Sequence, residues 1–193
     1  VEGSFEETSG LSPKAEVKRT IELAINHLKN RPRESLAVIS FGLSHAKKLQ
    51  EEFDMQLEQD HSIFTSNKYK PDEPFIIKHL EEIQGNERDV IFLSTGYGRL
   101  KANKRRFNFG AFNRDENFFG LRRLNVAITR ARKRIEVIST IDPDSYEIEK
   151  LEKIGQKALI EYLRFVKSGG NDLGLTNNQN NDLTAIEQDI FQS

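Results

Sequence analysis

Two short segments of this 193-residue chain carry side chains whose types and spacing suit ligand binding, and anion binding above all. The first, Glu81-Glu82-Ile83-Gln84-Gly85-Asn86-Glu87-Arg88-Asp89, runs directly into the apolar stretch Val90-Ile91-Phe92-Leu93. Gly85 permits a tight turn, and the polar groups around it fall at a strand edge, where a ligand can be met. The same residues also make an ordinary loop-to-strand turn. The second segment is Arg122-Arg123-Leu124-Asn125-Val126-Ala127-Ile128-Thr129-Arg130-Ala131-Arg132. At 100° per residue, Leu121, Leu124 and Ile128 share one face, expected to bury against a sheet, and Arg123 and Arg130 share another line with Ala127 between them. Two guanidiniums flanking a small residue suit an approaching anion. Cations also favour the C-terminal half of a helix. That accounts for Arg130, Arg132 and Lys133 but not for Arg123, so the segment alone leaves both readings open.

Charge points to the same region. Residues 99–134 hold twelve Lys or Arg against Asp115 and Glu116, a balance of +10 in a chain whose net charge is −1. A basic segment inside an acidic chain is where phosphates of a nucleotide or a nucleic acid would be met. A solvated basic loop and helix end is the alternative.

The elements that must position these residues follow from periodicity. Residues 1–11 are small, polar and acidic, and are expected to be disordered. Ser12-Pro13 reads as a helix N-cap followed by Pro at the first helical position. Val17, Ile21, Ala24, Ile25 and Leu28 then form a stripe that ends near Pro32. Leu36–Phe41 is a buried-type strand, and a helix from about Ser44 to Glu58 carries Ala46, Leu49, Phe53 and Leu57 on one face. Strands follow at Phe75–Ile77 and Asp89–Ser94. Residues 96–116 form a long Gly-, Asn- and Arg-rich loop of the functional kind. A helix over about Asn117–Arg132, a strand over Ile135–Ser139 and a helix over about Ser145–Lys167 complete the pattern. Strands alternating with helices predict an α/β domain around a mainly parallel sheet, over residues 12–167. Residues 168–182 read as a flexible linker. Residues 183–193 regain helical periodicity, as the start of a truncated downstream domain or as a docking helix.

Composition bounds the rest. With 36% hydrophobic and 31% charged residues, the chain has the make-up and length of one globular domain. No run approaches the roughly 18 apolar residues of a membrane span, and nothing at the start reads as a signal peptide. The absence of Cys excludes disulfides, thiolate metal sites and Cys nucleophiles, and is compatible with a cytoplasmic protein. His27, His45, His61 and His79 lack metal-ligand spacing, so no metal site is expected. A chain that begins at Val1 is expected to be a fragment.

Taken together, QGxERDVIxLS, a basic loop, and RRLNVAITRAR before a strand resemble motifs V and VI of superfamily 1 helicases. The resemblance is to the second RecA-like domain, in the subgroup related to the nonsense-mediated-decay helicase. It is closest to large bacterial multidomain helicase-related proteins, in which IKxLExxQGxERDVIxLSxGYG recurs, and it covers about residues 13–167. The resemblance implies a RecA-like, P-loop-NTPase-type fold and the following roles. Arg130, in the TRA triplet, matches the arginine finger that reaches the γ-phosphate of ATP bound with Mg²⁺ mainly by the first RecA-like domain. Glu87 matches the acceptor for the nucleotide ribose. Gln84 and Gly85 match the part of motif V that faces the phosphates. Arg123 would be a phosphate-side cation. Ser94 and Thr95 are candidates for contacting the nucleic-acid backbone, and Lys101, Lys104, Arg105 and Arg106 would supply the electrostatic part of that contact.

The departures fall in motif IV. His45 stands where Gln is usual, Gly42 replaces an aromatic residue used against the adenine, and neither Leu43 nor Ala46 can stand in for a second phosphate-contacting Arg. Lys47 or Lys48 would be partial substitutes. No GxxxxGK[ST] occurs, so the phosphate-cradling loop is absent. Asp72-Glu73-Pro74-Phe75 imitates a Walker B box but follows a polar stretch and reads as a loop. The expectation is therefore the C-terminal RecA-like half of an ATP-dependent DNA or RNA helicase, inactive alone. Its partners would be an upstream RecA-like domain of the same polypeptide, single-stranded nucleic acid with DNA favoured and, by analogy with some relatives, a downstream nuclease domain. The alternative is a non-catalytic RecA-like module that docks nucleic acid or protein.

Overall fold

A computed structural model describes residues 12–60, 72–98, 108–114 and 118–170. The helix stripe read from the sequence forms α1 (Lys14–Asn30), which buries Val17, Ile21, Ala24 and Leu28. Its start differs from expectation. Ser12 does not cap it: its backbone turns left-handed (φ 52°) so that its N–H reaches the Gly96 carbonyl at 2.7 Å, and Pro13 takes the cap position. β1 (Leu36–Ser40) and α2 (Leu43–Gln59) follow, close to the expected bounds. β2 (Ile76–His79) and β3 (Arg88–Ser94) lie in register with β1, both parallel to it.

The largest difference lies in the RRLNVAITRAR segment. α3 (Phe119–Ile128) ends four residues earlier than its periodicity predicts, and β4 (Ala131–Ile138) begins four earlier. The Arg88 N–H bonds the Arg130 carbonyl at 3.1 Å, and Ala131 pairs with Arg88, so the sheet takes up residues that helical periodicity alone would keep. The final helix is also shorter. Pro143–Ser145 and Ile148–Lys150 form 3₁₀ turns, and α4 (Ile154–Lys167) starts only where Gln156 Oε1 accepts the Lys153 N–H.

The four parallel strands lie in the order β2-β1-β3-β4. Alternation sorts their side chains to two faces. Leu36, Val38, Val90 and Phe92 pack with Leu49 and Phe53 of α2 and the α1 stripe, whereas Ala37, Ile39, Ile91 and Leu93 pack with Leu124 and Ala127 of α3 and Leu159, Ile160 and Leu163 of α4. This is a RecA-like α/β layer arrangement, helices on both faces of a parallel sheet. The connection from β2 to β3 crosses the α3 side, with Leu80 and Ile83 buried beneath it. Asp72–Phe75 is loop, as expected. None of the described helices is long and apolar enough to cross a membrane. The expectations for residues 1–11, 171–182 and 183–193 fall outside the described residues.

Candidate nucleotide and nucleic-acid site

At the N-terminal ends of β3 and β4 the two sequence segments meet. Ile83 is buried while Gln84 and Gly85 are exposed beside it, so the buried isoleucine pins the loop and its polar turn faces solvent. Gly85 has φ 79°, a conformation that its lack of Cβ permits. Glu87 follows, half-exposed, with its carboxylate 3.6 Å from the Arg130 guanidinium. Two side chains distant in sequence thus share one corner because β3 and β4 are neighbours in parallel register.

Each partner is aimed by other groups. The Arg130 Nε donates to the Val126 carbonyl (3.1 Å) and one terminal nitrogen to Thr129 Oγ1 (3.3 Å), which fixes the guanidinium while leaving its other end toward Glu87. Arg88, which the sequence reading passed over, is buried; it donates to the Pro74 carbonyl at 3.2 and 2.9 Å and to the Glu87 carbonyl at 2.8 Å, locking the backbone of Glu87. Arg132 and Lys133 do structural work on the same sheet edge. Asp89 is buried, accepts the Ser35 N–H and Arg132 Nε, and lies 3.5 Å from the Lys133 ammonium. Hydrogen bonds to Glu73, then to Asp89, push the Arg132 pKa above its ordinary value, so its charge is held there.

Arg123 does not join this corner. Because α3 ends at Ile128, Arg130 lies off the helical line expected to join it to Arg123, and Ala127 between them is fully buried rather than open to a ligand. The buried face of α3 is Gly120, Leu124 and Ala127, with Leu121 and Ile128 only partly covered. Arg123 stacks on the Phe119 ring (4.7 Å) and reaches the Leu80 carbonyl just past the end of β2 (3.5 Å). Arg114 approaches the same ring at 5.2 Å. This cation–aromatic cluster was missed from sequence; the signal was there, in Phe118-Phe119 set among the arginines of the basic segment.

Ser94 and Thr95 are both fully buried, which corrects the expectation that they face a nucleic-acid backbone. Their partner is Glu16 of α1, itself 0% exposed. Its carboxylate accepts Ser94 Oγ (2.8 Å), the Gly96 N–H (2.7 Å), Thr95 Oγ1 (3.3 Å), and the Thr140 N–H (3.1 Å) and hydroxyl (3.3 Å). A buried carboxylate is tolerated only when so fully hydrogen-bonded. His45 also turns inward; with Ser94 Oγ donating to Glu16, the His45 Nε2–H donates to that hydroxyl (2.8 Å). Lys47 and Lys48 are exposed on α2. Lys101, Lys104, Arg105 and Arg106 lie outside the described residues. The chain on either side of them is fixed, since Tyr97 Oη donates to the Phe109 carbonyl (2.8 Å) and both residues are buried. Among the described residues no group of three or more His, Asp or Glu is placed to hold a metal ion.

Comparison with known proteins agrees with this architecture. Residues 3–142 match the AAA domain family, and the chain belongs to that family. Over 98 residues it is 37% identical to a Mycoplasma pneumoniae protein named as an uncharacterized ATP-dependent helicase. Over 102 residues it is 35% identical to a Mycoplasma genitalium protein of the same description. The matched stretches are 51% and 53% of this chain but only 8% of each relative, so the chain corresponds to a small part of those proteins.

Proposed function

We propose that the chain is the second, C-terminal RecA-like half of an ATP-dependent superfamily 1 helicase or translocase acting on DNA or RNA, in the subgroup related to the nonsense-mediated-decay helicase. The observation that carries the reading is the meeting of Glu87 and Arg130 on an exposed edge beside Gln84 and Gly85. Kinship with proteins named ATP-dependent helicases supports it.

The corner fits half of a nucleotide site. Glu87 offers a carboxylate acceptor for ribose hydroxyls, and Arg130 offers a guanidinium already oriented by Val126. Each currently answers the other. Ion pairs this exposed contribute about 0–1 kcal/mol, so exchanging the pair for a ribose hydroxyl on one side and a phosphate on the other costs little. Triphosphate and Mg²⁺ would be held mainly by an upstream RecA-like domain, the metal neutralising phosphate charge. Closure of the two domains would place Arg130 against the γ-phosphate. There a guanidinium stabilises charge as the phosphoryl group transfers, an effect worth about 10³–10⁵ in rate. Gln84 and Gly85 would line the phosphate side of the same turn.

The ribose role is tested in the full-length protein by Glu87→Ala. Loss of a hydrogen bond to a charged acceptor raises the KM for ATP roughly tenfold, with kcat within a few-fold of wild type. An unchanged KM contradicts the assignment.

A further inference from the structure

Phe118 immediately precedes α3 and is 43% exposed, among the most exposed large apolar residues described. Its backbone is left-handed (φ 54°, ψ 33°), a conformation that a bulky residue rarely adopts. Strained backbone of this kind clusters at ligand clamps, active sites and switch regions. The next ring, Phe119, is already occupied by Arg114 and Arg123 at 5.2 and 4.7 Å. Phe118 has no ring or cation contact among the described residues. Arg114 and Arg122 are exposed, and no ion pair joins them to a described carboxylate.

We propose that Phe118, flanked by Arg114, Arg122 and Arg123, is a stacking site for a base of single-stranded nucleic acid. The inference rests on the helicase reading and names where this domain grips the strand. Of the occupants an exposed aromatic could take, a single strand is favoured by charge: every base has a π face, and the arginines complement the phosphates that join the bases. A protein partner with an acidic apolar segment is the competing occupant. The geometry also separates this site from the nucleotide corner. Arg123 reaches the Leu80 carbonyl, and the Leu80 N–H bonds the carbonyl of Ser40, the last residue of β1, so the start of α3 sits at the C-terminal edge of the sheet. Arg130 follows the other end of that ten-residue helix, about 15 Å away. One short rigid element therefore carries a strand contact at its first turn and the phosphate contact just past its last.

The test measures binding of fluorescein-labelled oligo-dT to the full-length protein by anisotropy at several salt concentrations, with ATP hydrolysis followed in parallel. Phe118→Gly removes the ring and relieves the left-handed strain, so loss of folding does not confound it; Phe118→Trp keeps an aromatic face. The expected result is a loss of affinity of about five- to a hundredfold for Phe118→Gly, near-wild-type affinity for Phe118→Trp, and a salt slope reduced by about one for Arg114→Ala. Wild-type binding and ATP hydrolysis with unchanged affinity in Phe118→Gly would overturn the stacking site and leave the helicase reading standing, with a protein occupant as its replacement. A wild-type protein that neither binds the strand nor hydrolyses ATP would overturn both.

Discussion

At the scale of single residues, what matters is which polar groups are spent on the fold and which remain for a ligand. Glu16 is wholly spent, and so are Ser94 and Thr95, whose hydroxyls were expected at the surface. The partner that buries them lies on α1, 78 residues from Ser94, and no local pattern reveals a contact of that span. Glu87 and Arg130 were legible because each sits in a short motif, and parallel strand pairing brings the motifs together. Arg88 and Arg132 carry the same charge in the same motifs but are tied to Pro74, Glu73 and Asp89. His27 gives this scale its prediction. Burial, chiefly, and the charge of Arg134 push its pKa below the ordinary value, while its hydrogen bond to the Glu34 carbonyl opposes them. The unfolded chain then takes up a proton near pH 6.5 that the folded chain refuses. The His27 contribution to stability is therefore full above about pH 6.5 and is lost as the pH falls from there through the lowered folded-state pKa. Thermal unfolding of wild type and His27→Gln at pH 7.5 and 5.5 checks this: wild type is expected to lose more stability on acidification than the variant, and equal losses would refute it.

At the scale of elements, the sequence located every described strand and long helix but misjudged where α3 stops and where α4 starts. The stripe of Leu121, Leu124 and Ile128 is truly helical, yet residues from Ala131 gain ladder hydrogen bonds with β3 that a longer helix would forfeit. The same shortening moves Arg130 off the helix and into the turn, which is what aims it at Glu87. A second device fixes the first turns of α3 and α4. Both helices press a glycine against Phe112, in the 3₁₀ turn Gly110–Asn113: a Cβ on Gly155 would lie 2.5 Å from the Phe112 carbonyl oxygen, and one on Gly120 2.8 Å from the Phe112 Cα. Gly155→Ala gains about 0.5–1 kcal/mol of helix propensity but overpacks a site where the obstacle is backbone, at about 1–3 kcal/mol. The expected net effect is a loss of about 1–2 kcal/mol and a melting temperature lower by several degrees. A variant as stable as wild type would show that Phe112 is free to move.

At the scale of the whole molecule, the parallel run of all four strands sets the N-terminal and C-terminal edges on which function is proposed. The unbroken apolar runs Leu36–Ile39 and Val90–Leu93 made a buried parallel sheet legible; the strand order was not, because it depends on which crossovers pack, not on local sequence. The order places β3 beside β4, and hence the proposed ribose acceptor beside the proposed finger. α3 then links that corner to Phe118 at the opposite edge, so nucleotide and strand would act on the two ends of one helix. The most direct test is single-strand-stimulated ATP hydrolysis by the full-length protein, comparing wild type with Arg130→Ala. An arginine that contacts the transferring phosphoryl group predicts a kcat lower by about a hundredfold or more, with ATP binding largely retained. Wild-type turnover matched by Arg130→Ala would contradict it.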